Sequence, residues 1–271
     1  MSPFSAAILA VVQGLTEFLP VSSSGHLVLG EALLGSHAFA DSIAFELVVH
    51  LGTFLAVLVI FWQDIINLIT VFFPRLLAPQ KWSAEFHSNS EFKLTVLMIV
   101  GMLPAGIVGL LLRDQISDLF SDPVQVSIAL LVTGGMLLST KYYRKANQPI
   151  DLKKALLIGL AQALALIPGI SRSGSTITMA LALGIKQEQA ARFSFIMVLP
   201  LIFAATVLEL KDLLEVGINA DEGLILLIGL VISFIVGFFS LKWLLQLLKG
   251  GKFHYFAWYC FSIAFLGMAY F

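Results

Sequence analysis

The chain has 271 residues, of which 59% are hydrophobic and only 12% charged, with a mean hydropathy of +0.95. Soluble domains carry about 25% charged residues, so a soluble globular enzyme is excluded, and a net charge of −1 speaks against a nucleic-acid partner. The lone cysteine, Cys260, excludes a disulfide framework and a Cys-based metal site and is expected to be a small core filler. The N-terminus shows neither a basic n-region nor an A-x-A-type site, so no cleaved signal is expected. No linker divides the chain, which predicts a single membrane domain over residues 1–271.

In chain order, the first apolar region, 4–34, is interrupted midway by a polar stretch rich in Pro, Gly and Ser. Apolar segments near 43–62, 94–112 and 124–140 follow, each close to the roughly 20 residues that cross a bilayer. A second interrupted region, 155–185, precedes segments near 193–210, 224–241 and 253–271. The two interrupted regions match at an offset of 149, with Gln13 on Gln162, Leu15 on Leu164, Ser22 on Ser171, Ser24 on Ser173 and Gly25 on Gly174. The run from Phe45 to Leu51 falls on Phe193 to Leu199 at an offset of 148. Each half therefore reads as a broken segment and then three spans, with repeat one at 1–145 and repeat two at 150–271.

Charge decides how the broken segments run. If both turn back, one side collects Arg75, Lys81, Lys93, Lys141, Arg144, Lys145, Lys153, Lys154, Lys186, Arg192, Lys242, Lys249 and Lys252. The other side keeps only Arg113 and Lys211, the bias the positive-inside rule expects. If both segments cross, the bias disappears. The predicted fold is thus an all-α integral membrane protein of inverted topology, with six transmembrane helices and two re-entrant helical hairpins. Its basic loops are cytoplasmic and both termini lie outside. Three spans per half invert the second repeat, so the hairpins enter from opposite sides and their tips meet near the midplane, the usual ligand site in inverted-repeat proteins.

Arg172 is the one Lys or Arg inside an apolar stretch, in Pro168-Gly-Ile-Ser-Arg-Ser-Gly-Ser-Thr176. An arginine at membrane depth costs roughly 2.5–3.5 kcal/mol even on the lenient insertion scale, which calls for an anionic partner. Ser171, Ser173, Gly174, Ser175 and Thr176 surround it with hydroxyls and backbone N–H groups at the start of a helix, a setting suited to phosphate. The first hairpin offers Gln13 and Glu17, four apart and so on one helical face, then Ser22, Ser23, Ser24, Gly25 and His26. Glu17 is the natural counter-ion or metal-side ligand opposite Arg172. The plainer reading is a buried Glu17–Arg172 salt bridge that fixes hairpin packing, with serines satisfying backbone groups where the helices break. Two catalytic readings fit: Ser23 attacks phosphorus with His26 as its base, or His26 attacks and Ser23 orients the phosphate. Gln162 reads as interhelical hydrogen-bonding glue. Glu46 and His50, one helical turn apart, fit function and packing equally. Glu209, Asp212 and Glu215 read as solvated, Asp151 as a helix N-cap, and His37, His87 and His254 as loop or interface residues.

The strings Gln-Gly-Leu-Thr-Glu-Phe-Leu-Pro-Val-Ser-Ser-Ser-Gly-His and Pro-Gly-Ile-Ser-Arg-Ser-Gly-Ser-Thr closely resemble the two signatures of the undecaprenyl-pyrophosphate phosphatase family, which is linked to bacitracin resistance. The likeness covers essentially the whole chain. It implies hydrolysis of undecaprenyl diphosphate to the monophosphate and inorganic phosphate, recycling the lipid carrier of peptidoglycan synthesis in the bacterial inner membrane. It implies Glu17, Ser23, His26 and Arg172 as central residues, and the two residue runs themselves are expected to place Gln13, Ser22, Ser24, Gly25, Ser171, Ser173, Gly174 and Thr176 around the substrate. It also implies a divalent metal, Mg²⁺ or Ca²⁺, near Glu17 and Gln13, although Gln13 stands where the signature also allows Glu and so weakens a two-carboxylate metal site. The expected partners are a polyprenyl diphosphate, membrane lipids and no nucleic acid, with room for a homodimer. Acid-phosphatase-like lipid phosphatases need a later His, and none follows Arg172 before His254. A secondary transporter or lipid flippase would need equivalent groups in both hairpins. Instead Glu17 falls on Leu166, His26 on Ser175 and Ser23 on Arg172, which favours an enzyme.

Overall fold

Side-chain caps and prolines start the helices where the sequence turns apolar. The computed structural model describes residues 2–34, 43–143, 147–204, 207 and 220–271. Helix α1 (Pro3–Thr16) opens on Ser2, whose hydroxyl accepts from the Ser5 N–H, with Pro3 at its first position. It is followed by α2 (Ser23–Leu34), α3 (Ile43–Ile60), α4 (Trp62–Leu76), the short α5 (Trp82–Ser88), α6 (Ser90–Leu111), the short α7 (Arg113–Asp118) and α8 (Pro123–Ser139). The second half contains α9 (Leu152–Leu164), capped by Asp151 as its sequence suggests, then α10 (Arg172–Ala182), α11 (Gln187–Met197), α12 (Ala220–Lys249) and α13 (Phe256–Tyr270). Every regular element among the described residues is helical.

Among the described residues, three unbroken helices are long and apolar enough to cross a membrane: Ser90–Leu111, Pro123–Tyr142 and Gly223–Lys249. The remaining expected spans are less simple. The segment near 43–62 ends at Ile60, where α4 departs at 79° carrying Gln63, Asp64 and Asn67, so an apolar run gives way to a two-faced helix. The segment near 193–210 contains the end of α11 and a helical stretch at 199–204, and its remainder extends beyond the described residues. Also outside them are Arg144, Lys145, Lys211, His37, Glu209, Asp212 and Glu215.

Both interrupted regions break where expected, at 17–22 and 165–171. In the second, Gly169 has φ +93 and lies against the Val126 carbonyl oxygen, so a side chain there meets both a strained backbone and a steric wall. Packing repeats between the halves. Helix α1 lies on α12, and its counterpart α9 lies on α6, where Gly159 touches the Gly101 backbone as small residues allow between membrane helices. Helices α8 and α13 pack on each other.

Candidate active site

The two breaks are built alike. Ser22 accepts a hydrogen bond from the Gly25 N–H at 3.3 Å and lies 3.2 Å from the Ser24 hydroxyl. Ser171 accepts from the Gly174 N–H at 3.1 Å and lies 3.3 Å from the Ser173 hydroxyl. Each serine thus caps the helix that returns from its tip, which satisfies N–H groups that have no partner inside the helix. The tips touch through matched residues: a Cβ added to Gly25 would stand 3.1 Å from the Gly169 Cα, and one added to Gly174 would stand 3.5 Å from the Pro20 Cβ. Gly25 and Gly174, like Pro20 and Gly169, are 149 apart. The Thr133 hydroxyl donates to the Gly169 carbonyl at 2.8 Å, and the Cys260 thiol lies 3.8 Å from the Pro20 carbonyl. Helices α8 and α13 therefore each hold the break that lies in the other half of the chain. Cys260 is fully buried, so it fills the core and also reaches a tip.

Between the tips the match ends, and unlike groups meet. Glu17 caps the end of α1. Its Oε1 accepts from Arg172 Nη2 at 2.9 Å, and its Oε2 accepts from the Ser23 hydroxyl at 2.8 Å and from Gln13 Nε2 at 3.1 Å. His50 Nε2 stands 4.0 Å from the same Oε2, ion-pair range when the imidazole is protonated. The expected Glu17–Arg172 pair is therefore present, and it does more than tie the two helix breaks together. One carboxylate joins the arginine to a serine hydroxyl that donates to it.

The cluster also keeps unfilled hydrogen-bonding capacity. Arg172 Nη1 and Gln13 Oε1 are buried without a partner, while the guanidinium sits 5.8 Å from the Phe195 ring centroid. Buried polar atoms in folded proteins nearly always have a partner, so exceptions at one spot mark a place for a ligand or ordered water. A guanidinium with one arm on Glu17 and the other unpaired is suited to a phosphate oxygen.

His26 looks elsewhere. Its Nδ1 lies 2.7 Å from the Ser22 carbonyl, and its Nε2 lies 2.9 Å from the Tyr259 hydroxyl. A carbonyl only accepts, so Nδ1 carries the proton and Nε2 accepts from the phenol. The expected Ser23–His26 hydrogen bond is replaced by Ser23–Glu17, because both imidazole nitrogens already have partners. The rings of His26 and Tyr259 are stacked, with centroids 5.5 Å apart and planes 4° from parallel. Ser22, whose carbonyl anchors this histidine, has φ +68, an uncommon conformation for a serine and a strained one to find at a helix break.

The other residues drawn from the signatures surround this centre. Ser173 donates to the Leu19 carbonyl at 3.4 Å, and the Thr176 hydroxyl reaches the Arg172 carbonyl at 2.9 Å and the Ser194 hydroxyl at 2.5 Å. Both are more structural than exposed to a ligand. Gln162 is buried with neither amide atom hydrogen-bonded, so it is not the interhelical glue its sequence suggests. Tyr259 and Phe195 were not singled out by sequence. Each sits in a run of aromatic or apolar residues, and no local signal separates it from a lipid-facing or core neighbour. An apolar cavity of about 490 Å³, lined by Phe72, Trp82, Phe86, Phe92, Val96 and Leu152 among others, involves none of the clustered polar residues.

Comparison with known proteins adds independent observations. The family described as bacitracin resistance protein BacA matches residues 6–266. An undecaprenyl-diphosphatase of Salinibacter ruber is 41% identical over 268 residues, covering 99% of both chains. One from Halothermothrix orenii is 42% identical over 266 residues, covering 97% of this chain and 96% of its own. One from Korarchaeum cryptofilum is 42% identical over 255 residues, covering 94% of each.

Proposed function

The chain belongs to the bacitracin resistance protein BacA family, and from that premise we propose that it is a membrane phosphatase hydrolysing undecaprenyl diphosphate to undecaprenyl monophosphate and inorganic phosphate. The reaction returns the lipid carrier to peptidoglycan synthesis and confers bacitracin resistance. The observation that carries the chemistry is the chain of contacts Arg172–Glu17–Ser23, with one guanidinium arm unpaired.

In the first step Ser23 Oγ attacks the terminal phosphorus while Glu17, the acceptor of its hydrogen bond, takes the proton. The bond from phosphorus to the prenyl-phosphate oxygen breaks, and undecaprenyl monophosphate leaves. Arg172 Nη1 donates to a phosphoryl oxygen whose charge grows in the transition state. Glu17 replaces His26 as the base for Ser23 because the hydroxyl already points at it. A divalent cation, Mg²⁺ or Ca²⁺, fits beside Gln13 Oε1 and Glu17 if diphosphate and water supply the other oxygens, as hard cations accept. Among the described residues no group of three or more His, Cys, Asp or Glu offers a fuller cage. When bound, the cation would neutralise diphosphate charge.

For the architecture, we read six spans and two re-entrant hairpins in inverted repeats 1–145 and 150–271, within the bacterial inner membrane, with basic loops cytoplasmic and both termini outside. The matched tip contacts and the exchanged pairings of α1 with α12 and α9 with α6 support the repeat. Single cysteines placed in loops 141–154 and 185–192 of a Cys260→Ser protein should be labelled from the same, cytoplasmic side. Opposite accessibility would sink the inverted arrangement. The unequal groups at the two tips, and the diphosphatase names of the three relatives, leave the flippase reading without support.

The activity is tested with purified protein and undecaprenyl diphosphate, measuring phosphate release with and without chelator. Release that stops with EDTA and returns with Mg²⁺ or Ca²⁺ is expected. Full activity in chelator would remove the cation from the scheme, and no release under any condition would remove the phosphatase.

A further inference from the structure

His26 lies one helical turn beyond Ser23 on α2, so the two side chains share a face. Yet its Nε2 does not address the serine. It accepts from Tyr259, which comes from the last helix of the chain and has 43% of its surface exposed. Behind it, the Ser22 carbonyl accepts both the His26 backbone N–H at 3.2 Å and the ring Nδ1–H. That carbonyl is well placed to steady an imidazolium. The unit Ser22–His26–Tyr259 is thus a polarised line that ends in a hydroxyl at the protein surface, separate from the Glu17–Arg172 pair.

Because the monophosphate leaves as its anion in the first step, Glu17 keeps the serine's proton and the covalent mechanism needs a second proton acceptor. After the first step Glu17 holds the serine's proton and cannot also receive one from the water that must cleave phosphoserine. Resting on the proposed Ser23 chemistry, we propose that Tyr259 relays the proton of the attacking water to His26 in this second step. The water oxygen bonds to phosphorus as the bond from Ser23 Oγ to phosphorus breaks. The water's proton passes to the Tyr259 oxygen while the phenolic proton moves to His26 Nε2, and the Ser23 oxygen regains its proton from Glu17. The imidazolium keeps its Nδ1–H on the Ser22 carbonyl, then returns its proton through the phenol to the departing phosphate.

The test is Tyr259→Phe, which preserves the stacked ring and removes only the hydroxyl, with His26→Ala and Ser23→Ala alongside. Each protein receives prenyl diphosphate labelled in its terminal phosphate, followed by rapid acid quench. In Tyr259→Phe a burst of prenyl monophosphate should match the enzyme concentration, and steady turnover should then fall roughly tenfold or more. An acid-stable phosphoserine should accumulate above the wild-type level, and likewise in His26→Ala. A purely structural role would slow both steps and accumulate nothing. Normal turnover in Tyr259→Phe, or slowed turnover without a burst while His26→Ala accumulates adduct, overturns the relay alone. Near-wild-type turnover in Ser23→Ala, or an adduct that persists in that variant, overturns the phosphoserine reading and the relay with it.

Discussion

Arg172→Ala should lower turnover of undecaprenyl diphosphate by about 10²–10³, the usual cost of removing one donor aimed at developing charge. Arg172 pairs with Glu17 at 2.9 Å and leaves Nη1 buried and unpaired. Removing the guanidinium therefore deletes the phosphate donor and also leaves a buried carboxylate without its cation. Arg172→Lys should recover only part of the loss, because an ammonium cannot hold Glu17 with one arm and a phosphoryl oxygen with a second, coplanar one. Initial rates of phosphate release across the three proteins, each checked for a monodisperse folded state in detergent, decide the matter. Near-full turnover in a folded Arg172→Ala protein would exclude Arg172 from the phosphate site.

Ser23→Ala and Glu17→Gln should each cost about 10²–10⁴ in turnover, the range for loss of a positioned base or of the group it activates. The two differ in what they leave behind. Ser23→Ala should yield no acid-stable phosphoenzyme under any quench, whereas Ser23→Cys retains a nucleophile at the same position and should keep measurable activity. Glu17→Gln should form phosphoserine slowly, because the hydroxyl then lacks its acceptor carboxylate at 2.8 Å. Phosphoserine survives acid, while phosphohistidine is lost in acid and survives base. Recovery of an acid-labile adduct that persists in Ser23→Ala would make His26 the nucleophile and leave Ser23 to orient the phosphate.

Much of this protein can be read from residue order. Composition placed it in a membrane, because 12% charge cannot solvate the surface of a soluble fold of this size. The two helix breaks fell at 17–22 and 165–171, as expected of Pro20 and Pro168, which lack an N–H, of Gly169, which adopts a positive φ, and of serine runs that compete for backbone bonds. The offset of 149 anticipated matched caps at Ser22 and Ser171, and Arg172 with Glu17 stood out because an isolated charge in apolar sequence demands a partner. All of these are local effects, set by a residue and its near neighbours.

What the sequence could not express was which groups finally touch. Ser23 and His26, three residues apart, looked like a nucleophile and its base. The fold turned the hydroxyl to Glu17 and gave the imidazole to Tyr259, 233 residues away in the chain. Hydropathy likewise could not distinguish a straight span from the 79° bend at Phe61, because both present the same apolar run up to that point. Sequence therefore determined the membrane setting, the two helix breaks and the identity of the charged pair, through local conformational preference and the cost of burying charge. Tertiary structure alone decided the hydrogen-bond partners, because a proton's direction depends on where distant helices place their acceptors, and a one-dimensional pattern carries no such distance.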